Sequence, residues 1–248
     1  MATISLCMIV KNESAVLARC LDSIADLMDE IIIVDTGSTD NTKEIAAQYT
    51  SRIYDFKWTS DFSAARNFSF SKATMEYIYT ADADEILDDA NRERFLRLKG
   101  ALLPEIEIVQ MKYVTQGTFD TILNAKKEYR PKLFRRLRTF TWIDPIHETV
   151  RLTPVTFDSD VEILHCPQSL HSKRDFSIFI KAFEHDGQFS PKIRTMYAKE
   201  LLKTGDKKDF TDAKPIFQLI FDNDPADDAR KEAACVLARI YRMEDNKN

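Results

Sequence analysis

The sequence predicts an α/β protein with a Rossmann-like, mixed but mostly parallel sheet, followed by a segment made only of helices. Short apolar runs alternate with segments of helical period over roughly the first 85 residues, which indicates parallel strands with helices on both faces. Residues 105–165 change to strand-like stretches separated by polar loops. From about residue 172, amphipathic helices follow one another directly. We therefore expect two domains, residues 1–170 and 171–248.

Four strands and three helices are predicted in the first part of the chain. The strands are Ile4–Val10, Glu30–Asp35, residues 52–56 and residues 76–81. The helices cover residues 17–27, residues from Asn41 onward, and residues 63–73. Glu44 is the third residue of the second helix, a position typical of a capping box.

The second part has two textures. The stretches IEIVQMKYV, PKLFRRL and VEILH have little helical period, and we interpret them as mixed or antiparallel strands that extend the sheet. The stretches SIFIKAFEHDG, RTMYAKELLKTGD, AKPIFQLIFDND and DARKEAACVLARIYRME are amphipathic and separated by Gly, Asp and Pro. They predict four consecutive helices, with small residues such as Ala198, Ala213 and Ala234 where helices cross.

Composition excludes several classes of protein. The 248 residues are 44% hydrophobic and 30% charged with a net charge of -5, which is typical of a globular protein and gives no nucleic-acid footprint. The four cysteines are widely spaced, which favours a reducing, cytoplasmic compartment. The apolar N-terminus is interpreted as a first strand and not as a signal peptide. Since no apolar run approaches about 18 residues, we expect no transmembrane segment, with peripheral membrane association as the alternative.

Polar residues follow the predicted strands where ligands usually bind. In open α/β sheets, the ligand lies outside the carboxyl ends of the strands. The first strand is followed by KNE, the second ends in DTGSTD, and the fourth is followed by DADE. These three ends therefore predict one acidic, hydroxyl-rich pocket.

The paired carboxylates Asp82 and Asp84 are candidate metal ligands. Two neighbouring carboxylates raise each other's pKa unless a positive charge lies between them. Magnesium and manganese prefer carboxylate and phosphate oxygens, and a typical magnesium site uses one or two protein carboxylates. The alternative is structural: Asp84 or Glu85 caps the next helix, or Asp88 and Asp89 begin it.

The four motifs MIVKNE, VDTGSTD, DFSAARN and ADADE, taken in this order, resemble those of family-2 glycosyltransferases with the GT-A fold, over residues 3–90. The resemblance implies a nucleotide-diphospho-sugar transferase fold in which Asp35 binds the base, Arg66 lies near the base and diphosphate, and Asp82 and Asp84 hold Mn or Mg. It also implies a nucleotide-sugar site at the strand ends, formed by Val10, Asn12, Glu13, Asp35, Gly37, Arg66, Asp82 and Ala83. Two alternatives stay open: Asp35 as a turn residue, and Arg66 as a surface helix residue.

The general base is expected in WIDPIHETV. An inverting transfer needs a base for the acceptor proton, and a His-Glu pair here resembles that of family members whose catalytic half is followed by helical repeats. Glu148 is the candidate base, with Asp144 as the alternative. His147 is a candidate metal, diphosphate or acceptor ligand, although adjacent side chains of a strand point to opposite faces.

The resemblance implies an inverting, metal-dependent glycosyltransferase that moves a hexose from a nucleoside-diphosphate sugar, such as a UDP-sugar, to a peptide, protein or cell-surface glycan. The last helices resemble degenerate tetratricopeptide hairpins, which favours a peptide or protein acceptor, or a homo-oligomer formed through these helices. One alternative is a catalytically inactive nucleotide-sugar-binding module that serves interactions through its helices. A nucleotidyltransferase is the other, but MIVKNESA lacks the expected Gly- and Arg/Lys-rich phosphate loop.

Overall fold

A computed structural model describes residues 1–115, 127–137, 142–143, 149–150, 153–166 and 172–245. The chain forms two compact units, Met1–Gln168 and Ser169–Asn248. No helix in these ranges is both long and apolar enough to cross a membrane.

The first unit contains an eight-stranded mixed sheet and a separate two-stranded sheet. The strands are β1 (Ile4–Val10), β2 (Glu30–Asp35), β3 (Ile53–Asp55), β4 (Tyr77–Thr80), β5 (Glu85–Ile86), β6 (Ile108–Thr115), β7 (Lys127–Arg135), β8 (Trp142–Ile143), β9 (Thr149–Val150) and β10 (Thr156–His165). The large sheet has the order β3-β2-β1-β4-β7-β6-β10-β5, and β8 pairs with β9. The first four strands are parallel, while β7 is antiparallel to both of its neighbours. The predicted mixed sheet is confirmed.

Helices cover both faces of the parallel strands. They are α1 (Leu17–Ile24), continued by a 3-10 turn at Ala25–Leu27, α2 (Thr42–Ala46), α3 (Phe62–Lys72) and α4 (Asp89–Ala101). The buried residues of α1 recur at helical spacing, as the sequence predicts. Asp61 caps α3 by accepting hydrogen bonds from two backbone N–H groups, and Asp88 caps α4 by accepting from one, that of Asn91.

The capping box predicted at Glu44 is wrong. The first residue before α2, Asn41, forms no side-chain capping bond, and the helix has only five residues. Asp40 replaces the box, because its Oδ1 accepts from the backbone N–H of Thr42 at 3.1 Å and from its hydroxyl at 2.5 Å. A carboxylate two residues before the donor thus satisfies the helix start.

The core lies on both faces of β1. Leu6 and Met8 pack into one apolar cluster with α1 and α4, whereas Cys7 packs into a second cluster on the other face with Ile32 and Val34. All five side chains are at most 1% exposed. A continuous apolar strand is therefore required here, which is the pattern that made β1 and β2 predictable.

The second unit contains four helices: α5 (Ser172–Asp186), α6 (Pro191–Thr204), α7 (Lys207–Asn223) and α8 (Asp227–Asp245). Its core centres on Tyr197, which is fully buried and contacts the rings of Phe176, Phe179, Phe189 and Phe217. Ala198 and Ala213 are buried, as predicted for close helix crossings. The prediction for Ala234 is wrong, because Ala234 is only half-buried and the neighbouring Ala233 is the fully buried residue.

Candidate functional site

Asp35 lies at the carboxyl end of β2, and the described residues form hydrogen bonds to only one of its two carboxylate oxygens. Its side chain is 1% exposed, and Oδ2 accepts from the backbone N–H groups of Gly37 and Ser38, both at 3.0 Å. Gly37 has φ +103°, a conformation that a residue with a side chain rarely adopts. Oδ1 is buried and has no hydrogen-bond partner among the described residues. A buried acceptor of this kind costs free energy unless a donor reaches it.

The loop after β1 is fastened to the loop after β2. Asn12 has φ 55°, and its Oδ1 accepts from the backbone N–H of Thr39 at 2.7 Å. The backbone N–H of Asn12 donates to Ser38 Oγ at 2.9 Å, and that of Glu13 donates to Thr42 Oγ1 at 2.8 Å. The Asn12 amide therefore shapes the two loops, a structural role that the sequence did not reveal.

Asp40 completes this connection between the loops. Its Oδ2 accepts from the backbone N–H of Ser14 at 3.2 Å while Oδ1 holds Thr42. Burial raises the pKa of the Asp40 carboxyl, but the hydrogen bonds from Ser14 and Thr42 outweigh this effect and hold the pKa at about 2. In the folded protein, Asp40 is thus ionised above about pH 2.

We expect Asp40→Asn to destabilise the first unit and to flatten its acid response. The unfolded pKa of Asp is about 3.9, so the lower folded pKa stabilises the protein above about pH 4, and this contribution is lost as the pH falls towards 2. The variant should lose about 1 kcal/mol of unfolding free energy at pH 6. Urea denaturation across pH 2 to 6 measures both effects. An acid response as steep as that of the unchanged protein would contradict the assignment.

The other predicted donor-site residues occupy three places. Val10 is buried at the end of β1, opposite Asp35 in the strand register, and Ala83 is buried between the two aspartates. Arg66 lies in the second turn of α3, which packs on β1 and β2, and its side chain is partly exposed. The sheet thus brings Val10 and Asp35 together.

Asp82 and Asp84 follow β4 at the carboxyl edge, and Asp84 contacts a histidine from β10. Asp82 is exposed, whereas the Asp84 side chain is 16% exposed and its Oδ2 lies 3.0 Å from Nε2 of His165. The backbone C=O of Asp84 accepts from the N–H of Cys166 at 2.9 Å. The alternative of helix capping applies to Asp88 and not to Asp84, since Asp88 accepts from Asn91 N–H at the start of α4.

His165 is the functional candidate that the sequence did not identify. A lone histidine at a strand end carries no motif. The pairing of β10 with β6, and with β5, where His165 lies opposite Glu85, brings it to this edge. The only signal available was the position of His165 at the end of the predicted strand VEILH.

Glu85 and Lys132 form a buried ion pair directly below the Asp82–Asp84 loop. The Lys132 ammonium donates to both carboxylate oxygens of Glu85, at 2.8 and 2.7 Å, and the side chains are 7% and 3% exposed. Burial raises the pKa of Glu85, and the Lys132 charge opposes that rise. The backbone N–H of Glu85 also donates to Asp82 O at 3.1 Å, which ties the start of the loop to a residue of the pair.

A divalent cation fits the donors at this edge, although the protein supplies only part of its ligands. No group of three or more His, Cys, Asp and Glu side chains is arranged to hold a metal within the described residues. Two ligands at about 2.1 Å from an octahedral ion and at right angles are about 3.0 Å apart. Asp84 Oδ2 and His165 Nε2, which form a hydrogen bond of 3.0 Å with each other, are also at the spacing of two such ligands. Water and substrate phosphates commonly complete such a site.

The candidate base and the predicted third ligand cannot be placed. Glu148, His147 and the alternative base Asp144 lie outside the described residues. They fall between β8 and β9, whose backbones pair with Trp142 opposite Val150.

One cavity is separate from this edge. It has a volume of about 540 Å³ and lies at the amino end of β4, where Tyr77, Gly100 and Arg135 contribute to its lining. Because β4 begins at Tyr77 and the aspartates follow its other end, the cavity does not belong to the candidate site.

Comparisons with known proteins give one family. The model of the family described as glycosyl transferase family 2 matches residues 5–153, more than half of the chain. A TPR repeat-containing protein of Synechococcus elongatus is 48% identical over 87 residues, 35% of this chain and 22% of that protein. The SPbeta prophage-derived glycosyltransferase SunS of Bacillus subtilis is 33% identical over 132 residues, 52% of this chain and 31% of that protein. The matches therefore span about a fifth to a third of these relatives.

Among solved structures, glucosyl-3-phosphoglycerate synthase from Mycobacterium tuberculosis, in complex with Mg²⁺ and uridine diphosphate, is similar to this chain. The identity is 17% and the TM-score is 0.49, over 77% of this chain and 81% of that chain.

Proposed function

We propose, because this chain belongs to glycosyl transferase family 2, that it transfers a hexose from a UDP-sugar to an acceptor hydroxyl or similar nucleophile, with inversion at the anomeric carbon. Inversion follows from direct attack by the acceptor on the face opposite the leaving diphosphate. The two carboxyl-edge groups described above then have separate tasks: Asp35 binds the base, and the Asp82–Asp84 loop holds the diphosphate.

Asp35 is the observation that carries the proposal. Its Oδ1 is a buried acceptor without a partner in the described part of the chain, at the strand end where a nucleotide base would lie. The N3–H group of uracil is a donor, so binding a uracil base pairs this oxygen and removes the cost of leaving it unbonded. The neighbouring oxygen stays bonded to Gly37 and Ser38, which fixes the carboxylate plane for this contact.

The metal site is proposed at Asp82 and Asp84. A bound Mn²⁺ or Mg²⁺ would neutralise the charge that develops on the leaving diphosphate. Asp84 and Asp82 supply carboxylate oxygens, and the protein offers a nitrogen donor in His165, 3.0 Å from Asp84. His147 stays the third-ligand candidate from the family resemblance. The protein's own contribution is to hold these donors at fixed spacing through the Glu85–Lys132 pair.

The acceptor half is proposed from the family resemblance and from the helical unit. Glu148 is the proposed base that takes the acceptor proton. Exposed apolar side chains lie on α6, α7 and α8, among them Met196 and Leu219, each 49% exposed. The resemblance of the helices to tetratricopeptide hairpins favours a peptide or protein acceptor or a homo-oligomer over a small acceptor. A cell-surface glycan is the alternative acceptor.

A thermal-shift screen across UDP-, GDP- and dTDP-sugars, with and without MnCl2, tests the proposal. We expect UDP-sugars with manganese to raise the melting temperature most, because a ligand at 100 times its Kd adds about 2.7 kcal/mol of apparent stability. Asp35→Asn should weaken UDP binding about tenfold or more, since the amide presents a donor where the base needs an acceptor.

Asp55→Asn is the matched control for that substitution. Asp55 lies directly opposite Asp35 in the β2–β3 register, but it is exposed and pairs with Lys43, whose ammonium also lies 3.8 Å from Asp35 Oδ2. It should bind UDP as the unchanged protein does. Absence of binding to every nucleotide sugar would refute the proposal. Binding without transfer to peptide, protein or glycan acceptors would favour the inactive binding module instead.

A further inference from the structure

A column of stacked side chains leads away from the candidate metal site. The guanidinium carbon of Arg130 lies 3.7 Å from the ring centroid of Tyr113. On its other side, the Tyr113 ring is 5.0 Å from the His165 ring with an interplanar angle of 34°. His165 in turn lies 3.0 Å from Asp84. Three strands and the loop after β4 therefore contribute one member each.

The strand register explains why these side chains meet. Tyr113 of β6 pairs with Ile163 of β10, two residues before His165, so the two rings are diagonal neighbours on one face of the sheet. Arg130 of β7 pairs with Met111, two residues before Tyr113, which produces the same diagonal on the other side. The stack of Arg130, Tyr113 and His165 is thus a product of the sheet, and only its contact with Asp84 involves a loop.

The burial of the column decreases towards its ends. Tyr113 is 5% exposed, whereas the side chains of Arg130 and His165 are 47% and 24% exposed. Arg130 is held by an ion pair with Glu128 on its own strand. The one rigid, buried member therefore lies between two partly exposed ones, and the imidazole has a fixed surface on one side.

We propose that Tyr113 is a positioning residue for the metal: its ring fixes the imidazole of His165 at the spacing from Asp84 that neighbouring ligands of one cation require. Arg130 supports Tyr113 from the opposite face. This inference rests on the proposed metal site at Asp82 and Asp84. Without the Tyr113 ring, the imidazole would rotate about its side-chain torsions. Metal binding would then cost the conformational entropy of ordering it.

The strength of the effect follows from residues that orient metal ligands in other proteins. Losing such a partner commonly lowers metal affinity 10- to 100-fold. A Tyr113 that only fills the core would destabilise the fold on truncation, but it would leave the metal affinity of the folded protein unchanged. The two roles therefore differ in the measured Kd for manganese.

Tyr113→Leu and Tyr113→Phe form the matched pair of variants for the test. Mn²⁺ binding in the presence of UDP is measured by electron paramagnetic resonance titration, and electron spin echo modulation reports a nitrogen ligand. We expect Tyr113→Leu to weaken Mn²⁺ binding 10- to 100-fold and to reduce the nitrogen modulation, while Tyr113→Phe keeps the stack and stays within about twofold. UDP affinity without metal should be unchanged in both. Arg130→Met should weaken Mn²⁺ binding about threefold, the loss of an exposed cation–π contact.

Unchanged manganese affinity and nitrogen modulation in folded Tyr113→Leu would overturn the inference, as would an equal loss in Tyr113→Phe. If Tyr113→Leu does not fold, Arg130→Met decides, and wild-type Mn²⁺ affinity there overturns it. Asp84→Asn distinguishes failure of the positioning role of Tyr113 from failure of the proposed metal site. Loss of Mn²⁺ binding in Asp84→Asn with none in Tyr113→Leu refutes the positioning role alone, whereas retained binding in Asp84→Asn refutes the metal site itself.

Discussion

Replacing Lys132 by Ala is expected to lower the free energy of unfolding of the first unit by about 3–5 kcal/mol, because it leaves the buried Glu85 carboxylate without a counter-charge. Glu85 is 2% exposed, and both of its oxygens bond to the Lys132 ammonium. Urea denaturation followed by tryptophan fluorescence measures the change. Both tryptophans, Trp58 and Trp142, belong to the first unit, so their emission reports on it.

Two further variants test whether the loss of stability in Lys132→Ala comes from the burial of the ion pair. Lys127→Ala removes another lysine of β7, whose ion pair with Glu162 has side chains 55% and 21% exposed, and should cost about 1 kcal/mol or less. The double variant Lys132→Met with Glu85→Leu removes both charges and should recover most of the lost stability. A Lys132→Ala loss no larger than that of Lys127→Ala would show that the pair is solvated.

Asp84→Asn should reduce sugar transfer by about 10²–10³-fold, equivalent to several kcal/mol of stabilisation of the leaving diphosphate. The substitution preserves side-chain size, and the backbone C=O that accepts from Cys166 is unaffected. We therefore expect a folded protein with little transfer, whose melting temperature is lowered only by the weakened Asp84–His165 contact. The measurement is release of UDP from a UDP-sugar at saturating manganese.

Asp88→Asn is the control in the same segment. Asp88 caps α4 through a backbone hydrogen bond of 2.9 Å from Asn91, and Asn is also a good capping residue. Its transfer rate should be close to that of the unchanged protein. Equal transfer by Asp84→Asn and Asp88→Asn would show that Asp84 does not act on the diphosphate.

The strands of the donor half were predictable because each one carries its own signal. β1 and β2 have the predicted bounds, and β3 and β4 lie within the predicted ranges. Each is an apolar run with polar residues after it, so strand and ligand edge can be read locally. The same reasoning pointed to Asp35. Its buried carboxylate has one oxygen that accepts from Gly37 and Ser38 and one without a partner among the described residues, which is consistent with a binding role and not only with a turn.

The contacts formed by β7 and β10 were not predictable in this manner. Lys132 belongs to a basic stretch that, taken alone, is typical of a solvated strand face, yet pairing of β7 with β4 buries it against Glu85. His165 reaches Asp84 from 81 residues away. Such contacts depend on long-range register, and nothing in the neighbouring residues specifies that register.

The antiparallel insertion of β7 beside β4 also sets an order of assembly during synthesis. Glu85 is followed 47 residues later by the lysine that neutralises it. At about 5–20 residues per second, the ribosome needs roughly 2–10 seconds to make that stretch. For those seconds the Glu85 carboxylate of the nascent chain has no Lys132 to pair with, and the buried ion pair forms only once β7 has been made.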